Sequence, residues 1–432
     1  MRSYPVLLSG VSLSYSASNI GTGGEDFVLP SFLLYNSIMI KKIIHANIYT
    51  PDELLPDHTI EIENGIIRKV YPSIQFEESL DSTIDANGMA VTPGLIDVHI
   101  HGCMGADTMD ATVEALSTMS AFLGKHGVTS FLATTVTNSE KSIKNALTII
   151  SYNQMNLAAS NLLGAHIEGP YINIAYKGAQ NPEFFRYPQK QEYKAWIEIG
   201  NVKLITIAPE IEGMDEFIKY CVTHKVELAI GHSSASYEQV IHAADLGVRQ
   251  ATHLFNGMQG LHHREPGTAG GILSDERIFA QIIVDGHHLH PAIVKLIITV
   301  KGIDHTILIS DAIRATGLSD GKYDLGGQEV TVVDGIARIS NGSLAGSTLT
   351  LDEAIRNTMN FTGLDFKHVL PMATRVPAEA IHIAHKKGYI RVGYDADLTF
   401  FDTSFRVIST LVGGKLIFCK NKIGANNVEI NA

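Results

Sequence analysis

Hydrophobic positions along this chain follow two rhythms. In the middle, short continuous apolar runs alternate with longer segments whose apolar residues recur every three to four positions. The short runs fall at 95–101, 129–135, 162–168, 203–209, 227–232, 250–255, 280–285 and 305–311. Amphipathic segments intervene, for example at 111–126, 139–156, 215–224, 237–246 and 291–300. A brief apolar run suits a strand buried on both faces, and the longer spacing suits a helix with one packed face. Eight such strands alternating with helices predict an α/β fold, a (β/α)8 barrel of the TIM type, over residues 93–388.

The chain ends read differently. Residues 43–49 and 59–70 are short β-rich runs around an Asn64-Gly65 turn, the signature of a hairpin. Residues 397–402 and 407–418 have the same character. Two β-rich ends around a long middle predict that 40–92 and 389–432 pair into one small β-sandwich domain. The first 39 residues are rich in Ser and Gly and weakly apolar, with a lone Arg2. They lack the strong apolar centre of a signal peptide and read as a flexible extension, with a targeting segment as the alternative.

Composition narrows the function classes. Hydrophobic residues make up 45% of the chain and charged residues 18%, as in a globular protein, and the formal net charge is −12. An acidic balance disfavours nucleic acid, whose phosphates need clustered Lys and Arg. It leaves room for a small anionic ligand, because one arginine can dominate a pocket. Three cysteines, Cys103, Cys221 and Cys419, stand far apart and make neither a zinc ribbon nor a disulfide framework. That usage suits the cytoplasm, and no apolar run reaches the roughly 18 residues of a membrane span.

The chemistry is written at the strand ends. His99 and His101 close the first run, and residues two apart on a strand face the same side. Alone, a His-x-His among 19 histidines is as well explained by chance. Four later runs change that: His166 and Glu168 end the third, His232 the fifth, His253 the sixth and Asp311 the eighth. Barrel enzymes keep their catalytic groups at the carboxyl ends of strands, so imidazoles and carboxylates at five of these ends predict a divalent metal centre. Asp311 also reads as a helix N-cap before Ala312, but its place at the last strand end favours catalysis. Cys103 reads as packing, and His262, His263 and His287 as loop residues.

The carrying text comprises Pro-Gly-Leu-Ile-Asp-Val-His-Ile-His-Gly (93–102), His-Ile-Glu-Gly-Pro-Tyr-Ile-Asn (166–173), Lys-Gly-Ala-Gln-Asn-Pro (177–182) and Ala-Pro-Glu (208–210). It continues with Gly-His-Ser (231–233), Thr-His-Leu-Phe-Asn-Gly-Met (252–258), Arg-Glu-Pro-Gly (264–267), Asp-Gly-His-His (285–288), Ser-Asp-Ala (310–312) and Leu-Ala-Gly-Ser (344–347). In this order, from about residue 40 to the end, these segments resemble the amidohydrolase superfamily and, within it, the deacetylases of N-acetylglucosamine 6-phosphate.

The resemblance implies that Glu168, His232 and His253 hold one metal and that His99, His101 and Asp311 can hold a second beside it, so that one or two ions are expected. Glu168 then replaces the modified lysine of other relatives. Zinc and ferrous iron both suit such ligands. It implies amide hydrolysis with Asp311 as general base and then acid. It implies a sugar-phosphate pocket formed by Ala179, Gln180, Asn256, Gly257, Arg264, His288, Leu344, Ala345 and Gly346. Many relatives have His at the position of Gln180, near the reacting carbonyl; glutamine donates a hydrogen bond there but carries no proton. Arg264 offers a planar fork for phosphate, with a surface salt bridge to Glu265 as the plainer reading. In relatives, the equivalents of Arg264 and His288 reach in from a neighbouring subunit, which implies a homodimer. Two other functions compete: a metal-dependent hydrolase of a cyclic amide or aminated base, and a non-catalytic barrel scaffold.

Overall fold

Eight parallel strands curl around a common axis in the computed structural model, which describes residues 38–75, 82–154, 157–420 and 428–429. The extension expected at 1–39 lies outside the described residues, apart from its last two. The barrel strands are Leu95–Ile100, Val128–Thr135, Asn161–Glu168, Val202–Ile207, Glu227–Ile230, Gln250–Ala251, Phe279–Ile282 and Thr306–Leu308, each hydrogen-bonded to the next in chain order. Helices such as Val113–Lys125, Glu140–Asn153, Met214–Thr223, Tyr237–Leu246 and Pro291–Lys301 connect them. Side-chain oxygens of Thr112, Ser139 and Ser236 accept backbone N–H groups at the first turns of three of these helices, which explains where those helices start.

The cylinder closes between its first and last strands through backbone bonds. Asp311 N donates to His99 O at 2.9 Å and His101 N donates to Ala312 O at 2.9 Å. Every residue of Leu95–Ile100 and of Val128–Thr135 is buried, as strands covered on both faces require.

Three strands stop earlier than the apolar pattern suggests. The fifth ends at Ile230, the sixth at Ala251 and the eighth at Leu308, two to three residues short of His232, His253 and Asp311. Those three residues have φ of +48°, +31° and +47°, left-handed values that no strand contains. The sequence shows apolar continuity; the backbone breaks the ladder in order to turn the ligand side chains inward.

The two chain ends share one sheet, as the β-rich runs suggested. Its main path runs Lys415–Cys419, Val407–Val412, Leu398–Phe401, Ala90–Pro93, Lys42–Tyr49, Leu54–Glu63, Ile66–Pro72. Asn64 and Gly65, both at positive φ, make the two-residue turn between the last two strands. Thr83–Asp85 and Val428–Glu429 branch from the path at Lys42–Tyr49. Asp397 ties this sheet to the barrel: it accepts from Asn161 at 3.2 Å and from Gly413 N at 2.7 Å, and it pairs with buried Lys387.

A three-stranded antiparallel insert, Gly321–Leu325, Gln328–Val333 and Ile336–Ile339, follows the eighth barrel strand. The apolar rhythm of the barrel does not announce it, yet Gly326-Gly327 and Asp334-Gly335 are two-residue hairpin turns of the kind that a sequence shows. The insert has its own core of Leu325, Val330, Val332, Ala337 and Ile339.

Asp352, buried on the helix Leu351–Thr362, accepts from His126 at 3.0 Å and from Arg356 at 2.8 Å. Burial opposes its ionisation, but His126 and Arg356 outweigh it and pull the carboxyl down to about 2. A depressed carboxyl stabilises the fold above its ordinary value near 3.8 and loses that contribution as pH falls through about 2. Asp352→Asn should therefore cost about 2 kcal/mol at neutral pH and flatten the loss of stability between pH 4 and 2. Urea unfolding at several pH values would check this; equal slopes for both proteins would refute it.

Candidate active site

Six residues from five strand ends meet at one mouth of the barrel. Glu168 is central and only 2% exposed. Its Oε1 lies 3.1 Å from His232 Nε2 and 3.0 Å from His253 Nε2, and its Oε2 lies 3.2 Å from His101 Nε2. Asp311 Oδ1 lies 3.3 Å from His99 Nε2 and 3.2 Å from His101 Nε2. Glu168, His232 and His253 form one group, and His99, His101 and Asp311 another; within each, the ligand atoms lie within 4.8 Å of one another.

Three of the four imidazoles are oriented by backbone carbonyls. His101 Nδ1 faces Thr134 O at 3.2 Å, His232 Nδ1 faces Tyr176 O at 2.9 Å and His253 Nδ1 faces Asn256 O at 3.0 Å. A carbonyl only accepts, so each Nδ1 carries a hydrogen and each Nε2 is turned inward. Each Nε2 then faces carboxylate oxygens at about 3 Å, an arrangement that calls for positive charge between them. A divalent cation in a nitrogen and oxygen cage fits that need, and these donors suit zinc or ferrous iron.

The electrostatics agree. Burial pushes Glu168 and Asp311 toward the neutral acid, yet His99 and its imidazole neighbours hold both well below the ordinary carboxylate range. Burial likewise disfavours charge on His101, but Asp311 and Glu168 beside it raise its affinity for positive charge.

Two glycines make this packing possible. A Cβ on Gly257 would lie 2.9 Å from His232 Nδ1, and one on Gly346 would lie 2.8 Å from Asp311 O; both residues also sit at positive φ. Glu210, from the Ala-Pro-Glu segment, steadies the loop after His232. It accepts from Ser233 Oγ at 2.7 Å, Ser234 N at 2.6 Å and Asn173 Nδ2 at 2.9 Å. Sequence reasoning gave Glu210 no role, and a lone acid in a loop carries no signal of one.

His166 stands apart from the two groups although it shares a strand with Glu168. Its Nε2 meets Thr206 Oγ1 at 2.7 Å and its Nδ1 meets Val98 O at 3.2 Å. Burial holds it well below the usual histidine value, so it is a neutral core residue beneath His99.

A cavity of about 310 Å³ opens over the centre. Ala179, Gln180, Asn256, Gly257, His288, Leu344 and Gly346 line it. Leu325 and Ser343, contributed by the insert and its exit, line it too. Three further residues are placed apart from that set or by different means. Ala345 is fully buried in the insert core, because its N–H is drawn to Ala337 O at 3.1 Å, and it does not border the cavity. Arg264 is outside the cavity, on an exposed loop where Nη1 meets His263 Nε2 at 2.7 Å rather than pairing with Glu265. His288, expected from a neighbouring subunit, lines its own chain's cavity, because Asp285 holds its Nδ1 at 2.7 Å.

Comparison with known proteins agrees with this architecture. The amidohydrolase family matches residues 90–417. An N-acetylglucosamine-6-phosphate deacetylase of Vibrio furnissii is 37% identical over 381 residues, covering 88% of this chain and 94% of the relative. An N-acetylgalactosamine-6-phosphate deacetylase of Escherichia coli O157:H7 is 34% identical over 370 residues, covering 85% and 96%. A mutant N-acetyl-D-glucosamine-6-phosphate deacetylase of Mycobacterium smegmatis, solved in complex with N-acetyl-D-glucosamine-6-phosphate, superposes with a TM-score of 0.82 at 30% identity, covering 87% of this chain and 98% of that one. With its barrel, its buried imidazole and carboxylate cluster and these similarities, the chain belongs to the amidohydrolase family.

Proposed function

We propose that this protein hydrolyses N-acetyl-D-glucosamine 6-phosphate to D-glucosamine 6-phosphate and acetate, a step of amino-sugar catabolism. The observation that carries the reading is Glu168, a buried carboxylate faced by imidazole Nε2 atoms from three other strand ends beneath a sugar-sized cavity. The named activity of its relatives supports the substrate class. In this reading the barrel, residues 93–388, carries the catalysis, and the sheet from 40–92 and 389–432 supports it. The free, buried cysteines suit a reducing cytoplasm.

Glu168, His232 and His253 would hold one ion, and His99, His101 and Asp311 could hold a second. When bound, zinc or ferrous iron would supply Lewis acidity, which lowers the pKa of water from 15.7 to about 7 and polarises a carbonyl. Asp311, held as a carboxylate by His99 and His101, takes the proton of the attacking water. As the carbon–nitrogen bond breaks, it gives that proton to the departing amine, so one group serves as base and then as acid. Asn256, Gly257 and His288 line the cavity where the sugar phosphate binds, and Leu344 and Gly346 border it. Arg264, exposed on its loop, reaches the cavity of a second copy in a homodimer and binds its phosphate.

Asp311→Asn should retain most of the metal on Glu168, His232 and His253 yet lose roughly 10²- to 10⁴-fold in turnover. Elemental analysis beside acetate release would check this, and full activity would remove the assigned base. Arg264→Ala should raise KM for the phosphorylated sugar about 10- to 100-fold, as loss of a charge-assisted phosphate contact does, and leave the bare sugar unaffected. Equal effects on the two sugars would refute the phosphate role.

A further inference from the structure

Gln180 lies in the loop after the third barrel strand and is 7% exposed. Its side chain spans two fixed points. Oε1 accepts the backbone N–H of Thr137, beyond the second strand, at 2.8 Å. Only an oxygen can accept there, so the amide orientation is determined and Nε2 must face the other way. It donates to Glu168 Oε2 at 2.7 Å, shorter than any imidazole contact that Glu168 makes. Turning the amide toward a bound sugar would strip a partner from a buried backbone N–H and from a buried carboxylate oxygen at once, an expensive exchange.

We propose that Gln180 is a positioning residue of the metal centre, a neutral two-ended strut between the Thr137 backbone and the Glu168 carboxylate, and not the carbonyl-polarising group implied by resemblance. The inference rests on the reading of Glu168 as a metal ligand. The strut fixes the rotation of the Glu168 carboxylate, so that Oε1 faces His232 and His253 while Oε2 faces His101. It adds no charge, so it leaves the charge balance of the centre unchanged. Without it the carboxylate is free to turn about its last bond, and the edges it presents to His232, His253 and His101 are lost. Support of this kind around a metal ligand commonly governs affinity as strongly as the ligands themselves.

The test compares the wild type with Gln180→Ala and with Gln180→Met, which keeps the volume and loses both hydrogen bonds. Zinc affinity is measured by competition with a chromophoric chelator, and kcat and KM are then measured at saturating zinc. Zinc affinity should fall about 10- to 100-fold in both variants. With zinc saturating, KM should stay within about threefold and kcat should recover, a pattern that a substrate contact or a general loss of packing would not give. Unchanged zinc affinity with a raised KM or a lost kcat would overturn the proposal and return Gln180 to the substrate. A wild type that binds no zinc or iron would instead overturn the metal reading itself, so the two failures are distinguishable.

Discussion

The barrel closes on the same residues that bear the chemistry. Asp311 N–H reaches His99 O, and His101 N–H reaches Ala312 O, so the seam between the first and last strands is also the joint between the two ends of the ligand set. A cylinder of parallel strands has no free edge only when this last pairing forms. At the seam Asp97 adds a second tie. Its Oδ1 accepts the N–H of His99 at 3.2 Å and of Ser310 at 3.4 Å, and burial raises its carboxyl to about 6. Closure and site assembly are therefore one event: an open barrel would leave His99 and His101 without Asp311.

That coupling explains why so much polar material is tolerated in the interior. Glu168, Asp311 and four imidazoles are nearly inaccessible to water, a costly arrangement unless each group is paired. The cost is met in layers. Carbonyls of Thr134, Tyr176 and Asn256 fix three of the four rings, Gln180 and the rings surround Glu168, and Thr206 and His166 close the network below. The left-handed backbone at His232, His253 and Asp311 is the geometric counterpart, with strain held at the point of function by rigid strands on either side.

Much of this was legible beforehand, for identifiable reasons. The eight strands were readable because a strand buried on both faces must be apolar throughout, and the ligand residues because they interrupt that apolarity where strands end. The shared sheet of the two chain ends followed from its β-rich runs and the Asn64-Gly65 turn. The insert at Gly321–Ile339 was missed although its Gly326-Gly327 and Asp334-Gly335 turns were in view. His166 illustrates the opposite failure: by spacing it is equivalent to Glu168, yet a hydroxyl one layer deeper claims it. The same spacing rule could not foresee that Ala345 would turn into the insert core while its neighbours Leu344 and Gly346 border the cavity.

The sequence by itself determined the alternation of strands and helices, the residues able to bind a cation and the end-to-end pairing of the chain. These follow from periodicity and from side-chain chemistry, both local properties. Only the tertiary structure decided which polar groups meet. Whether Gln180 faces a substrate or Glu168, whether His288 fills its own cavity, and whether His166 serves the site or the core all depend on distances between segments tens to hundreds of residues apart. Hydrogen bonds reach about 3 Å, and no spacing along a chain encodes a gap that small across a folded barrel.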